Sequence, residues 1–103
     1  MPSVDDDSDK IEDFARLDVC LWRARMFRTR TLSAGYIRRR GVRVSKAGAT
    51  HRVDKPGASV TIGDVITFGR RDEVRTLEIL GLGTRRGPAE EAQALYRLLE
   101  ADT

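Results

Sequence analysis

Few residues in this sequence could do covalent or acid–base chemistry. The one histidine, His51, sits in a Thr-His-Arg context and reads as a surface residue or a nucleic-acid contact. A general base needs a partner within hydrogen-bond reach, and no paired carboxylates are spaced to supply one. The one cysteine, Cys20, falls on the apolar stripe of a helical pattern, where a buried, inert thiol is expected. No glycine loop is laid out to cradle a phosphate, and no set of residues has metal-ligand spacing. Gly63-Asp64 reads as a turn between strands. The expectation is a protein that is no enzyme and needs no cofactor, metal or small-molecule substrate.

The arginines are another matter. Between Phe14 and Lys46 stand ten basic residues, Arg16, Arg23, Arg25, Arg28, Arg30, Arg38, Arg39, Arg40, Arg43 and Lys46, against one acid, Asp18. The first thirteen residues carry six acids against Lys10, and residues 47 to 103 carry eight bases against nine acids. A formal net charge of +3 therefore hides a very uneven distribution. Like charges packed this densely repel one another until a counter-charge arrives. Guanidinium forks match phosphate oxygens in pairs, so the expected partner is a polyanion. RNA is favoured and DNA is the lesser case. Neither helical segment has the outward Asn, Gln and Ser of a recognition helix. Arginines spread over two helices and a loop suit a folded RNA read by shape and phosphate.

Two helices must position that cluster. The first is expected from Leu17 to about Met26, with Leu17, Cys20, Leu21 and Ala24 on a core-facing stripe and Asp18, Trp22, Arg25 and Met26 opposite. Trp22 is open to two readings: packed on the C-terminal segment, or a flat surface for a base or ribose. Thr29 or Thr31 can cap the second helix. There Leu32, Ser33, Tyr36 and Ile37 form the inner face, and Arg30, Ala34 and Arg38 line the other flank. It should end before Arg40, near Gly41. Both helices are thus expected to turn an arginine side to solvent.

Beyond Gly41 the period changes to two. Val42 and Val44 alternate with Arg43, SKAG marks a turn, ATHRV is a weak strand and DKPGA a turn. Val60 and Ile62 precede Gly63-Asp64, VITF is a strand, RRDE a hairpin tip, and VRTLEIL the last strand of a small, mostly antiparallel sheet. After Gly81 and Gly83, Pro88 with Glu90 and Glu91 opens a last helix. Its stripe is Ala92, Leu95, Tyr96 and Leu99. The fold class is α+β: two short N-terminal helices packed on that sheet, plus a C-terminal helix. The chain divides into a disordered acidic tail (1–13), an RNA-binding domain (14–80) and a helical extension (81–103) packing on the same domain. At 103 residues there is room for one small domain. With one cysteine, no apolar run near the roughly 18 residues of a membrane span and no signal-peptide layout, a cytoplasmic monomer is expected.

Several of these residues fall in a known pattern. R-L-D-x-x-L-W from Arg16 to Trp22, T-R at Thr29-Arg30, then V-R-V and G-D resemble the αL RNA-binding motif named after small-subunit ribosomal protein four. The resemblance covers roughly Arg16 to Phe68. It implies that the two helices and the following loop form the RNA face, with Arg16, Arg30, Arg38 and Arg43 as contacts and Thr29 and Lys55 as weaker ones. The motif's V-x-V-N-G turn reads Val42-Arg43-Val44-Ser45-Lys46 here. Leu21-Trp22, and Arg-Arg-Gly-Pro-Ala followed by Ala-Gln-Ala-Leu-Tyr between Arg85 and Tyr96, are similar to the bacterial fifteen-kilodalton heat-shock protein family. That similarity implies binding to free large ribosomal subunits still holding a nascent chain on tRNA, with large-subunit ribosomal RNA and peptidyl-tRNA as partners. The expected RNA-binding set is Arg16, Trp22, Arg25, Arg28, Thr29, Arg30, Arg38, Arg39, Arg43, Lys46, Arg52 and Lys55. Two alternatives stand beside it: the RNA-targeting domain of an RNA-modifying system of the pseudouridine synthase type, and a regulatory module that binds a basic protein through the Asp-rich tail.

Overall fold

The structure, a computed structural model, describes residues 14–70 and 72–99, so the acidic segment 1–13 lies outside the described residues. A short strand β1 (Ala15–Arg16) leads directly into helix α1 (Leu17–Arg23). No side chain caps α1, and its first free amides are met from elsewhere in the chain. Leu17 N donates to Ala58 O at 2.8 Å and Asp18 N to Pro56 O at 3.0 Å. Helix starts need such acceptors because their first N–H groups have no partner within the helix.

The helix stops earlier than its apolar spacing suggests. Met26 N donates to Leu21 O, Arg25 N to Trp22 O, and Arg25 adopts φ +64°. These are the two bonds and the left-handed residue of a Schellman stop, built on arginine where glycine is usual. The stop swings Met26 back onto the core, where it is 4% exposed, so Met26 does not lie opposite the apolar stripe. Asp18, also expected on the outer side, is buried.

Helix α2 (Arg30–Arg40) follows, and the Thr29 hydroxyl caps it by accepting from Leu32 N at 3.0 Å. Ser33, Ala34 and Ile37 are its buried residues. Leu32, expected inside, is exposed, and Ala34, expected on the flank, is buried, so the inner face is rotated from the expected one. The helix runs through Arg40 and ends at Gly41, which takes φ +74°. A Cβ there would lie 2.9 Å from the Arg52 guanidinium, a flexible tip that can move aside, so it is the backbone conformation that favours glycine.

Five antiparallel strands then form one sheet in the order β3-β2-β5-β6-β7. They are β2 (Val42–Lys46), β3 (Ala49–Val53), β5 (Val65–Arg70), β6 (Glu73–Ile79) and β7 (Tyr96–Leu99), while β4 (Ser59–Val60) pairs with β1. Lys46 pairs with Ala49 across Ala47-Gly48, both at positive φ, the two-residue turn whose twist suits a hairpin. Val42 and Val44, Ile66 and Phe68, Leu77 and Ile79 point to the core and meet Leu17, Leu21 and Ile37 from the helices. Phe27, Tyr36 and Phe68 pack with ring centroids 5.4–6.3 Å apart, and the Tyr36 hydroxyl accepts from Gly69 N at 2.8 Å. These contacts fix α2 on β5.

The C-terminal element departs most from expectation. Helix α3 is only Ala89–Gln93, and Tyr96–Leu99 is a strand pairing with β6 (Ile79 opposite Tyr96, Thr76 opposite Leu99). A stripe at i, i+3, i+4 and i+7 fits a helix, yet the open edge of β6 offered unpaired backbone groups to this segment. The edge won.

Candidate nucleic-acid interface

The ten bases of the N-terminal third separate into two groups. One is engaged within the protein. Arg16 forks onto Asp18, with Nε and one terminal nitrogen each 3.1 Å from a carboxylate oxygen, which neutralises a carboxylate only 3% exposed. Arg23 donates to Leu82 O (3.2 Å) and Gly83 O (3.0 Å), and Arg25 Nε to Gly87 O (2.9 Å). Arg86 returns the contact, donating to Trp22 O at 3.2 Å and Phe27 O at 3.5 Å. Its guanidinium carbon stands 5.9 Å from the centre of the Trp22 ring, so Trp22 packs on the C-terminal segment through this cation–π contact. Lys46 pairs with the buried Asp64, whose carboxylate also accepts from Thr61 N. Arg23 and Arg25 tie α1 and its exit turn to residues 82–87, although Arg16 and Arg25 remain exposed while engaged.

The other group is free. Arg28, Arg30, Arg38, Arg39, Arg40 and Arg43 are exposed, and none has an acidic partner among the described residues. Arg30 and Arg38 line one shallow hollow with Thr31, Ala34 and Asp18. Ser33 fixes the wall of that hollow, its hydroxyl donating to Asp18 O at 3.0 Å across the α1–α2 contact. Arg38, Arg39 and Arg40 lie in the last turn of α2, where cations favour the helix dipole. Arg30 does not. It stands in the first turn, which contains no acid, and there a cation opposes the dipole by a few tenths of a kcal/mol or more. A residue placed against local stability points to a role outside folding.

The remaining expected contacts are placed as follows. Thr29 is the α2 cap, Lys55 is exposed, and Arg52 is shared between Asp54 (3.4 Å) and Arg40 O (3.1 Å). Arg40 was not among the expected contacts, because the helix was expected to end before it. Its membership of the basic stretch between Phe14 and Lys46 was the signal for it. His51 is exposed on β3. Burial pushes the Cys20 thiol up to about 12, so it holds its proton at neutral pH. Among the described residues no group of three or more His, Cys, Asp or Glu could hold a metal ion, and no helix is long and apolar enough to cross a membrane.

Fold and surface together define a small α+β protein whose distinguishing feature is a row of exposed arginines along one helix, without acidic partners among the described residues. No family model matches the sequence. It is 35% identical over 86 residues (84% of this chain, 61% of the relative) to the Heat shock protein 15 homolog of Aeromonas salmonicida. It is 31% identical over 81 residues (79% and 57%) to Heat shock protein 15 of Escherichia coli. The fold matches a solved structure of Vibrio cholerae Heat Shock Protein 15, described as trimeric, with a TM-score of 0.71 and 34% identity over 84% of this chain and 83% of the other. The chain belongs to the Heat shock protein 15 family. It spans about three-fifths of the length of the curated relatives it matches.

Proposed function

We propose that this protein is a non-enzymatic RNA-binding protein, and that the exposed side of α2 is its RNA face. One observation carries the reading: Arg28, Arg30, Arg38, Arg39, Arg40 and Arg43 are exposed without an acidic partner among the described residues. A helix edge of exposed guanidiniums is the complement of a folded phosphate backbone. Membership of the Heat shock protein 15 family and the αL-like motif from Arg16 to Phe68 favour ribosomal RNA of the large subunit as the target. On this reading the protein acts in the cytoplasm on free large subunits that hold a nascent chain on tRNA, and helps to recycle them after stress.

On this reading the protein binds as a monomer. Light scattering tests this: a single-chain mass agrees, and a trimer like that described for the Vibrio cholerae relative contradicts it. The function itself is tested by co-sedimentation with purified large subunits. Arg30→Glu with Arg38→Glu is expected to leave the protein in the supernatant, and undiminished pelleting of that variant would overturn the assigned face. If about six to eight phosphates are neutralised, log affinity falls against log salt with a slope of about −4 to −7.

A further inference from the structure

We propose a second anion site on the open face of the sheet, a hollow at the C-terminal end of α2 that takes the phosphate and base of one unpaired RNA nucleotide. It rests on the RNA-binding reading above and names a ligand for residues away from the Arg30–Arg38 hollow. The site measures about 300 Å³ and is lined by Arg40, Arg43 and Arg52, with the Arg52 guanidinium against Gly41. That is the small end of the range of ligand pockets, suited to one nucleotide and too small for a duplex.

Register supplies the first argument. Arg43 lies directly opposite Arg52 in the β2–β3 ladder, and both point outward because Val42 and Val44 point to the core. Like charges directly opposite across a ladder destabilise it. Arg52 is partly relieved by Asp54 and by Arg40 O, while Arg43 and Arg40 have no acidic partner among the described residues. Three cations around one hollow are an arrangement that an incoming phosphate stabilises.

The surroundings supply the second. A helix C-terminus ordinarily repels anions, but here Arg52 donates to the carbonyl of Arg40 and faces that end of α2 with positive charge. Thr67 and Val74 also line it; the Thr67 hydroxyl is hydrogen-bonded to that of Thr76 at 3.1 Å, and Val74 is 72% exposed. An exposed apolar side chain beside a phosphate site offers a base a face to lie against, and a single-stranded nucleotide presents both groups.

The test is amide NMR with three probes, single-stranded hexauridylate, uridine monophosphate and inorganic phosphate, on the full chain and on two variants. Arg43→Gln removes a side chain with no partner among the described residues, so it tests the site without disturbing the α2 cap. Arg30→Gln with Arg38→Gln disables the other hollow. Hexauridylate is expected to shift the amides of Gly41, Thr67 and Gly69 in the wild type and in the Arg30/Arg38 variant. Arg43→Gln should lose those shifts and bind three- to tenfold more weakly. Uridine monophosphate should reproduce them more weakly, whereas equal shifts from inorganic phosphate would reduce the site to an adventitious ion only and overturn the proposal. Hexauridylate binding with shifts only near Thr31 and Ala34, and with affinity unchanged in Arg43→Gln, overturns this site and leaves the α2 face standing. Failure of the wild type to bind either hexauridylate or ribosomal RNA overturns both.

Discussion

Helix α1 and helix α2 sit side by side in the same basic stretch, yet their arginines do opposite things. Around α1, Arg23 and Arg25 reach the carbonyls of Leu82, Gly83 and Gly87, and Arg86 reaches back to Trp22 and Phe27. Along α2, Arg30, Arg38, Arg39 and Arg40 face solvent without acidic partners among the described residues. The physical difference is what each helix packs against. Residues 82–87 cross the end of α1 and present backbone carbonyls, strong acceptors that need donors once water is excluded. Among the described residues, no segment donates or accepts comparable bonds along the outer side of α2. Charge density alone therefore does not mark a binding face; the acceptors within reach decide.

If the division is right, substitutions in the two groups separate binding from stability. The largest effect should come from Arg30→Glu with Arg38→Glu, which is expected to weaken RNA binding about 100-fold at moderate salt while leaving the fold intact, because exposed substitutions ordinarily change stability by about 0.5 kcal/mol or less. A nitrocellulose filter assay alongside a thermal melt checks both halves.

Cys20 sharpens the view of α1 as a core helix. Its thiol stays protonated in the folded protein up to about 12, against an ordinary value of 9.0. Stability from the neutral thiol is complete below pH 9 and is lost as pH rises toward 12, because the unfolded chain ionises first. At pH 10.5 about 2 kcal/mol of it should be gone. Urea melts at pH 7 and pH 10.5 should show a larger fall for the wild type than for Cys20→Ala.

Arg23→Met comes next. It strands the Leu82 and Gly83 carbonyls but also removes the Arg23 Nε, which is buried without a partner. A net loss of about 1–2 kcal/mol in urea unfolding is expected, with RNA affinity unchanged below the transition. Arg86→Ala should lose about 1 kcal/mol and shift the Trp22 fluorescence to the red as the ring loses its cover. The smallest effect is the most diagnostic in sign. Arg30→Glu alone should raise stability by about 0.5 kcal/mol, since an acid in the first turn suits the helix dipole, while binding falls. A drop in both would show that Arg30 holds the fold.

Much of this was legible in the residues themselves. The alternation of Val42, Arg43 and Val44, the SKAG turn, the VITF and VRTLEIL strands and a threonine cap at Thr29 or Thr31 are local signals. The structure follows each with Thr29 as the cap, while α2 runs through Arg40 where an end before it is expected. The basic face of α2 followed from its charges. What could not be read depended on distant chain. The Schellman stop at Arg25 has no glycine to announce it, so α1 was expected to run on and Met26 to face outward. Residues 96–99 carry a helical stripe, and only the exposed edge of β6, more than fifteen residues earlier, makes them a strand. The roles of Arg23 and Arg25 depend on Leu82, Gly83 and Gly87 for the same reason. Asp18, the one acid among ten bases, proved to be the internal partner of Arg16.

The most direct test of the division is the salt dependence of RNA affinity in three proteins: the wild type, Arg30→Gln with Arg38→Gln, and Arg23→Met. The α2 variant should lose about two from the slope of log affinity against log salt, one for each phosphate contact, while Arg23→Met keeps the wild-type slope and loses only stability. Equal slopes for the wild type and the α2 variant, or a reduced slope for Arg23→Met, would contradict it.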